Sequence, residues 1–270
     1  MIEQPPFTSY KYLLAILILL GSSLSLPCLA EEQLEFPFEP GEEFSYSLRW
    51  GLVPAGYANI RILPDIEMNG RPARHFQLTA RSNDFVDLFY QVRDKIESFT
   101  NITLTRSLLY KKDQNEGSTH REVVVNFDSK KNLATYTNFG NAQPPTKVPP
   151  GTLDPLSAVF YIRRHLSHVG QVIENPITDG KRVVIGHAKV IRKEIIYIGD
   201  KRYETFVVEP DLKDVKGVFE KSDDSRIRLW FTTDPSHLLV KITSKVVVGS
   251  FTCELISKSS APPKNRRNTP

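Results

Sequence analysis

The feature that most constrains this chain is one helix-forming stretch in a sequence otherwise made of strands and turns. It runs Asp154-Pro-Leu-Ser-Ala-Val-Phe-Tyr-Ile-Arg-Arg-His-Leu-Ser-His168. Asp154 can cap the first turn by accepting from a free backbone N–H, and Pro155 suits the first helical position because it has no N–H to leave unpaired. Gly170 supplies a stop, since glycine enters the left-handed conformation without strain. At 100° per residue, Leu156, Val159, Phe160, Ile162, Leu166 and Val169 fall on one broad stripe, which predicts a helix over about residues 154–169. Such a helix needs an apolar surface to cover, and only sheet is on offer. Arg163 projects from the middle of the stripe, while Tyr161, Arg164, His165 and His168 lie at its edge or outside it.

The strands are read from alternation. Phe44-Ser-Tyr-Ser-Leu-Arg-Trp50 alternates strictly, Gly51-Leu-Val-Pro-Ala-Gly56 turns the chain, and Ala58, Ile60 and Ile62 mark the return. Asn69-Gly70 is a hairpin signal, because both residues tolerate positive φ, and Phe76, Leu78 and Ala80 follow it. Phe85-Val-Asp-Leu-Phe-Tyr90 reads as a helical turn. From Tyr90 to Ser98 a strand carries Arg93, Lys95 and Glu97 on one face. Val123, Val125 and Phe127 form another, turned by residues 128–132 into 133–137. Residues 140–152 read as a linker. Beyond the helix, residues 182–198, 203–209, 226–233, 237–248 and 251–257 are strands with turns between them. The expected architecture is mainly β: an antiparallel meander forming a curled sheet or open β-barrel, with the one central helix packed on or in it.

Residues 12–20 form an uncharged apolar block after Lys11, and small residues at Cys28 and Ala30 fit a signal-peptidase site before Glu31. The block is well short of the roughly 20 residues that span a bilayer, so a cleaved signal is expected rather than an anchor. Lipidation at Cys28 is disfavoured by Leu26 and Pro27 before it. The expected organisation is a signal peptide over 1–30, a single β-rich domain over 31–258 and a flexible basic tail over 259–270. The mature chain would be periplasmic, with no stable membrane span. Removing residues 1–30 leaves Cys253 alone, on the face of its strand opposite Thr252 and Glu254, as a buried small side chain rather than a nucleophile. A net charge of +4, from 35 basic and 31 acidic residues scattered along the chain, gives no nucleic-acid footprint.

Three segments stand in a recognisable order: Gly41-Glu-Glu-Phe-Ser-Tyr-Ser-Leu-Arg-Trp-Gly-Leu-Val-Pro-Ala-Gly56, the Asp154-Pro-Leu-Ser helix with Tyr161-Ile-Arg163, and Leu229-Trp-Phe-Thr-Thr-Asp234. Together they resemble the bacterial secreted family DUF3108, a domain of unknown function, over roughly residues 38–258. The resemblance implies a mostly β fold and a Gram-negative envelope location. The family carries no established activity, so it assigns no functional residue here.

Chemistry-bearing constellations are sparse. No nucleophile elbow, H-E-x-x-H helix, phosphate-cradling glycine loop or dinucleotide fingerprint occurs. His165 and His168 are spaced to share a helical face, but no local carboxylate completes a metal site, and His75, His120, His187 and His237 lie in separate elements. The pairs Glu42-Glu43 and Asp223-Asp224 read as solvated acids at turns or strand starts. No enzyme, metal or cofactor is expected. Arg163 is the main anomaly, because a guanidinium inside an apolar stripe must find a carboxylate, carbonyls or an anionic ligand. Strand acids, Asp94 and Glu97 among them, are its candidate partners. If a ligand enters instead, Arg163, Phe160, Trp50 and Trp230 are the residues to contact it.

Two functions follow as expectations. The first is a non-enzymatic periplasmic binding or carrier protein holding a lipid, lipopeptide or other hydrophobic ligand between helix and sheet. The alternative is an envelope structural or protein-interaction module with a solid core. A hydrolase is third, for want of an assembled nucleophile and base.

Overall fold

The computed structural model describes residues 36–211, 226–245 and 250–260. The expected signal segment, Asp223-Asp224, residues 246–248 and all but two residues of the expected tail lie outside them. Strands β1 (Glu42–Trp50), β2 (Val53–Met68) and β3 (Arg71–Ser82) lead to a four-residue helix, α1 (Asp84–Asp87). Then come β4 (Arg93–Asn101), β5 (Ser107–Glu116), β6 (Thr119–Asp128) and β7 (Leu133–Asn138), and the short strands β8 (Asn141–Ala142) and β9 (Thr146–Lys147) fold back on β7. After α2 (Pro155–His165) follow β10 (Val172–Thr178), β11 (Val183–Ile198), β12 (Lys201–Pro210), β13 (Arg226–Thr232), β14 (Leu239–Lys245) and β15 (Ser250–Ser260).

All fifteen strands form one antiparallel sheet, ordered β10 to β15, then β1 to β8. Every neighbour in it is sequence-local except one. β15 lies against β1, pairing Glu42 with Ser260 and Trp50 with Phe251, and that single join fuses the two halves of the chain. It also carries β15 two residues past the expected domain end.

The sheet is curled but not closed by strand pairing. The linker before α2 bridges its two edges instead. Val148 N–H donates to Asn132 O at 2.9 Å and Ser107 N–H to Thr152 O at 3.0 Å on one side. On the other, Leu153 exchanges bonds of 2.9 Å with Pro176 O and Thr178 N–H of β10. The backbone groups of an otherwise open edge are thereby satisfied.

Inside the curl lies α2. Asp154 caps it from an extended conformation, its Oδ1 accepting from Leu156 and Ser157 N–H at 3.0 Å, with Pro155 at the first position. The helix ends at His165, four residues before the periodicity predicts, and leaves Val169 exposed. The reason is Gln171. Its Nε2 donates to His165 O at 2.7 Å and its Oε1 accepts from Ser167 N–H at 2.9 Å, so the last turn is capped while Leu166 turns extended.

Leu156 and Phe160 join Phe38, Phe44, Tyr46, Ile60, Ile62 and Phe76 in one core cluster. Val159, Ile162 and Leu166 cover a second on β10–β14, with Phe206, Val208, Leu229 and Phe231. Val207 and Trp230 belong to the first cluster, so β12 and β13 are buried on both faces. This accounts for their near-continuous apolar runs.

Candidate functional site

The predicted interior site begins at Arg163, which is 3 % exposed. Its Nε donates to Ser236 O at 2.9 Å and its Nη2 to Pro37 O at 2.8 Å. Glu42 Oε2 lies 3.5 Å from the same Nη2, and the guanidinium sits over the rings of Phe38 and Phe44 at 5.1 and 5.2 Å. Burial draws its pKa below the ordinary guanidinium value, and the Glu42 charge opposes that shift. Glu42 also receives Lys258 Nζ at 2.9 Å. The acids singled out from sequence sit elsewhere. Asp94 accepts from Asn115 N–H at 2.9 Å, and Glu97 takes His75 and Lys95.

Phe160 stacks on Phe76 with ring centroids 3.9 Å apart and meets Phe38 edge-on at 5.3 Å. Trp230 is buried in the same cluster, its indole N–H reaching Glu194 Oε2 at 3.4 Å. Trp50 stands apart. It is 48 % exposed at the end of β1, stacked on Phe251 at 6.3 Å.

At the other end of α2 the fully buried Asp154 gathers three hydroxyls. Ser98, Ser107 and Ser157 donate to its Oδ2, at 2.6 Å from Ser98 and 2.7 Å from Ser157, and Asp154 N–H donates to Ser107 Oγ at 2.8 Å. A carboxylate so sheltered from solvent is a structural anchor, fixing the helix start to β4 and β5. No sequence pattern brings Ser98 and Ser107 to it.

The histidines remain separate: His165 Nδ1 pairs with Tyr161 O and His168 Nδ1 with Ser167 Oγ. No metal-binding group of His, Cys, Asp and Glu forms among the described residues. Burial pushes the Cys253 thiol up to about 12, so little of it is thiolate at neutral pH.

Sequence reasoning missed a different cluster. Leu52, at the β1–β2 turn, is 96 % exposed; Phe85, Leu88 and Phe89, in and just after α1, are likewise exposed, Phe89 by 78 %. Asn83 binds the two tips together, its N–H donating to Ala55 O at 3.0 Å and its Nδ2 to Pro54 O at 2.8 Å. Gly51 N–H ties the same turn to Ser250 O of β15 at 2.8 Å, beside Phe251. Trp50, Leu52, Val53, Phe85, Leu88, Phe89, and Phe251 thus crowd one end of the sheet. The signal was present as large apolar residues inside turn segments, where no core can use them.

Three open depressions lined by described residues have volumes of about 70, 270 and 390 Å³. The two larger flank that apolar end. The first holds Arg81, Arg93, Asp94 and Lys95, and the second Arg226, Arg228 and Lys245.

The stretch from within β1 to within β15, the Asp154 helix included, falls inside one family match. The model of the protein family of unknown function DUF3108 matches residues 45–256. The chain belongs to DUF3108. The fold of this DUF3108 member is similar to that of a β-barrel-like protein of domain DUF1849 from Brucella abortus, with a TM-score of 0.52, 9 % identity, 82 % of this chain covered and 97 % of that one. A putative lipoprotein from Parabacteroides distasonis is more distant, with a TM-score of 0.34, 11 % identity and coverages of 83 % and 97 %. Among curated proteins, none matches this DUF3108 chain.

Proposed function

We propose that this DUF3108 protein is a non-enzymatic binding module of the cell envelope, with a solid interior, that works through its surface. The observation that carries this reading is Arg163. Its Nε and Nη2 meet two backbone carbonyls and Glu42 within the protein, which leaves the guanidinium without the unmet charge that would draw an anionic head group into the core. Phe38, Phe76 and Phe160 fill the space beside it. The hydrophobic partner expected from sequence therefore belongs on the exposed apolar end. Periplasmic residence is part of the proposal and rests on the apolar block at residues 12–20.

Titration with a fluorescent fatty acid tests it. Binding is expected to fall away in a Leu52→Asp, Phe89→Asp protein. A saturable site that survives those changes and disappears in Arg163→Lys would return the ligand to the interior and overturn the reading.

A further inference from the structure

The apolar end has two properties that its exposure alone does not explain. Its most exposed side chains, Leu52, Leu88 and Phe89, sit in turns and line none of the three depressions described above. It is also flanked by cations. At the strand ends Arg226 pairs with Lys245, Lys245 with Ser250, and Trp50 with Phe251 and Val53, while Arg81 and Arg93 pair with each other level with Tyr57 and Ser47, further along β2 and β1. Arg226, Lys245, Arg49, Arg81 and Arg93 are all exposed. Among the described residues the acids near them include Glu254, which pairs with Arg49, Asp87, which pairs with Arg93, and Asp84, Asp94 and Glu116. Of the two open depressions on either side, one includes Arg226, Arg228 and Lys245 in its lining and the other Arg81, Arg93 and Lys95 together with Asp94.

We propose that this end of the sheet docks on the surface of an anionic lipid bilayer, Trp50, Leu52, Phe85, Leu88 and Phe89 entering the interface and the flanking Arg and Lys side chains meeting lipid phosphates. Indole and phenyl rings gain from the boundary between headgroup and acyl chain, and basic side chains beside them are drawn to anionic lipid. Arginine adds paired donors that match phosphate oxygens. A small ligand would need an enclosing wall that projecting tips do not supply. A second copy meeting the same surface across a two-fold axis would set cation against cation. An anionic membrane answers both the apolar tips and the basic flanks. The inference rests on the reading of a surface-acting protein and names the chemistry of its partner.

Trp50 offers a local probe, because the other tryptophan, Trp230, is buried. Vesicles of mixed phosphatidylglycerol and phosphatidylcholine are expected to shift the emission of the full chain to the blue, and Trp50→Phe to abolish the shift. That signal is confined to the tip, whatever residues 12–20 do. Leu52→Asp with Phe89→Asp, both exposed and outside the core clusters, should weaken the response at least about tenfold, because two large apolar side chains no longer leave water. Added salt should weaken it as well. No shift with phosphatidylglycerol, an equal shift with pure phosphatidylcholine, or a concentration-dependent shift without lipid would each overturn the proposal, the last in favour of self-association. A protein that ignores vesicles yet binds the fatty acid through Leu52 and Phe89 loses this inference and keeps the surface reading.

Discussion

Arg163 Nη2 and Glu42 Oε2 lie 3.5 Å apart in the core, joining the last turn of α2 to the first residue of β1. The longer distance beside the 2.8 Å bond to Pro37 O means that carbonyls share the work of holding the guanidinium. Truncating a buried charged partner leaves the rest unpaired, so Arg163→Ala should destabilise by about 3–5 kcal/mol. Joint replacement of Arg163 and Glu42 by leucine should recover only part of this, because Pro37 O, Ser236 O and Lys258 lose partners too. Urea denaturation of the single and double variants measures both. Full recovery would show that the ion pair alone mattered.

Phe160→Ala removes a ring stacked on Phe76 at 3.9 Å and touching Phe38, and should cost about 3–5 kcal/mol. The denaturation midpoint is the measurement. One equal to wild type would mean the helix is not packed as described.

Asp154→Ala should be as damaging, although the residue is only a cap by sequence. An exposed cap is worth about 1 kcal/mol. Here Ser98, Ser107 and Ser157 also lose their acceptor in the interior, at about 1–3 kcal/mol for each buried polar group left unsatisfied. A loss of no more than a simple cap, read from the same denaturation curves, would contradict the buried network.

Asp94 gives a pH dependence. Burial raises its carboxyl from 3.8 to about 6, the Asn115 N–H bond opposing and Glu116 reinforcing the shift. An acid whose pKa is higher in the folded state binds more protons folded than unfolded. Stability is therefore greatest below the unfolded value and declines as pH rises through about 6. Asp94→Asn should flatten that decline and raise the midpoint at pH 7. An unchanged slope between pH 4 and 6.5 in the variant would assign the dependence to another group.

What the sequence disclosed follows from where local rules suffice. Asn69 and Gly70, with φ of 53° and 72°, make the tight β2–β3 turn that their types demand. The α2 start was equally legible, since capping is local. β5 escaped notice because Ser-Leu-Leu-Tyr-Lys-Lys-Asp-Gln-Asn-Glu does not alternate; it is a strand because β4 and β6 flank it. β10 was hidden by Pro176, which is tolerated where the sheet has an edge. Arg163 was found by its misfit on an apolar stripe, but Glu42 could be named only once the β15–β1 join and the curl had brought the chain start to the helix. The apolar end was overlooked for a related reason. Periodicity counts Leu52 and Phe89 as apolar and cannot say that no core lies beneath them.

The central claim is a solid interior and a working surface. Native mass spectrometry of the protein exported by a Gram-negative host, released under mild conditions, tests it most directly. The account predicts a mass equal to the polypeptide alone. A lipid retained in one-to-one proportion, held in the Leu52→Asp, Phe89→Asp variant as firmly as in wild type, would contradict it.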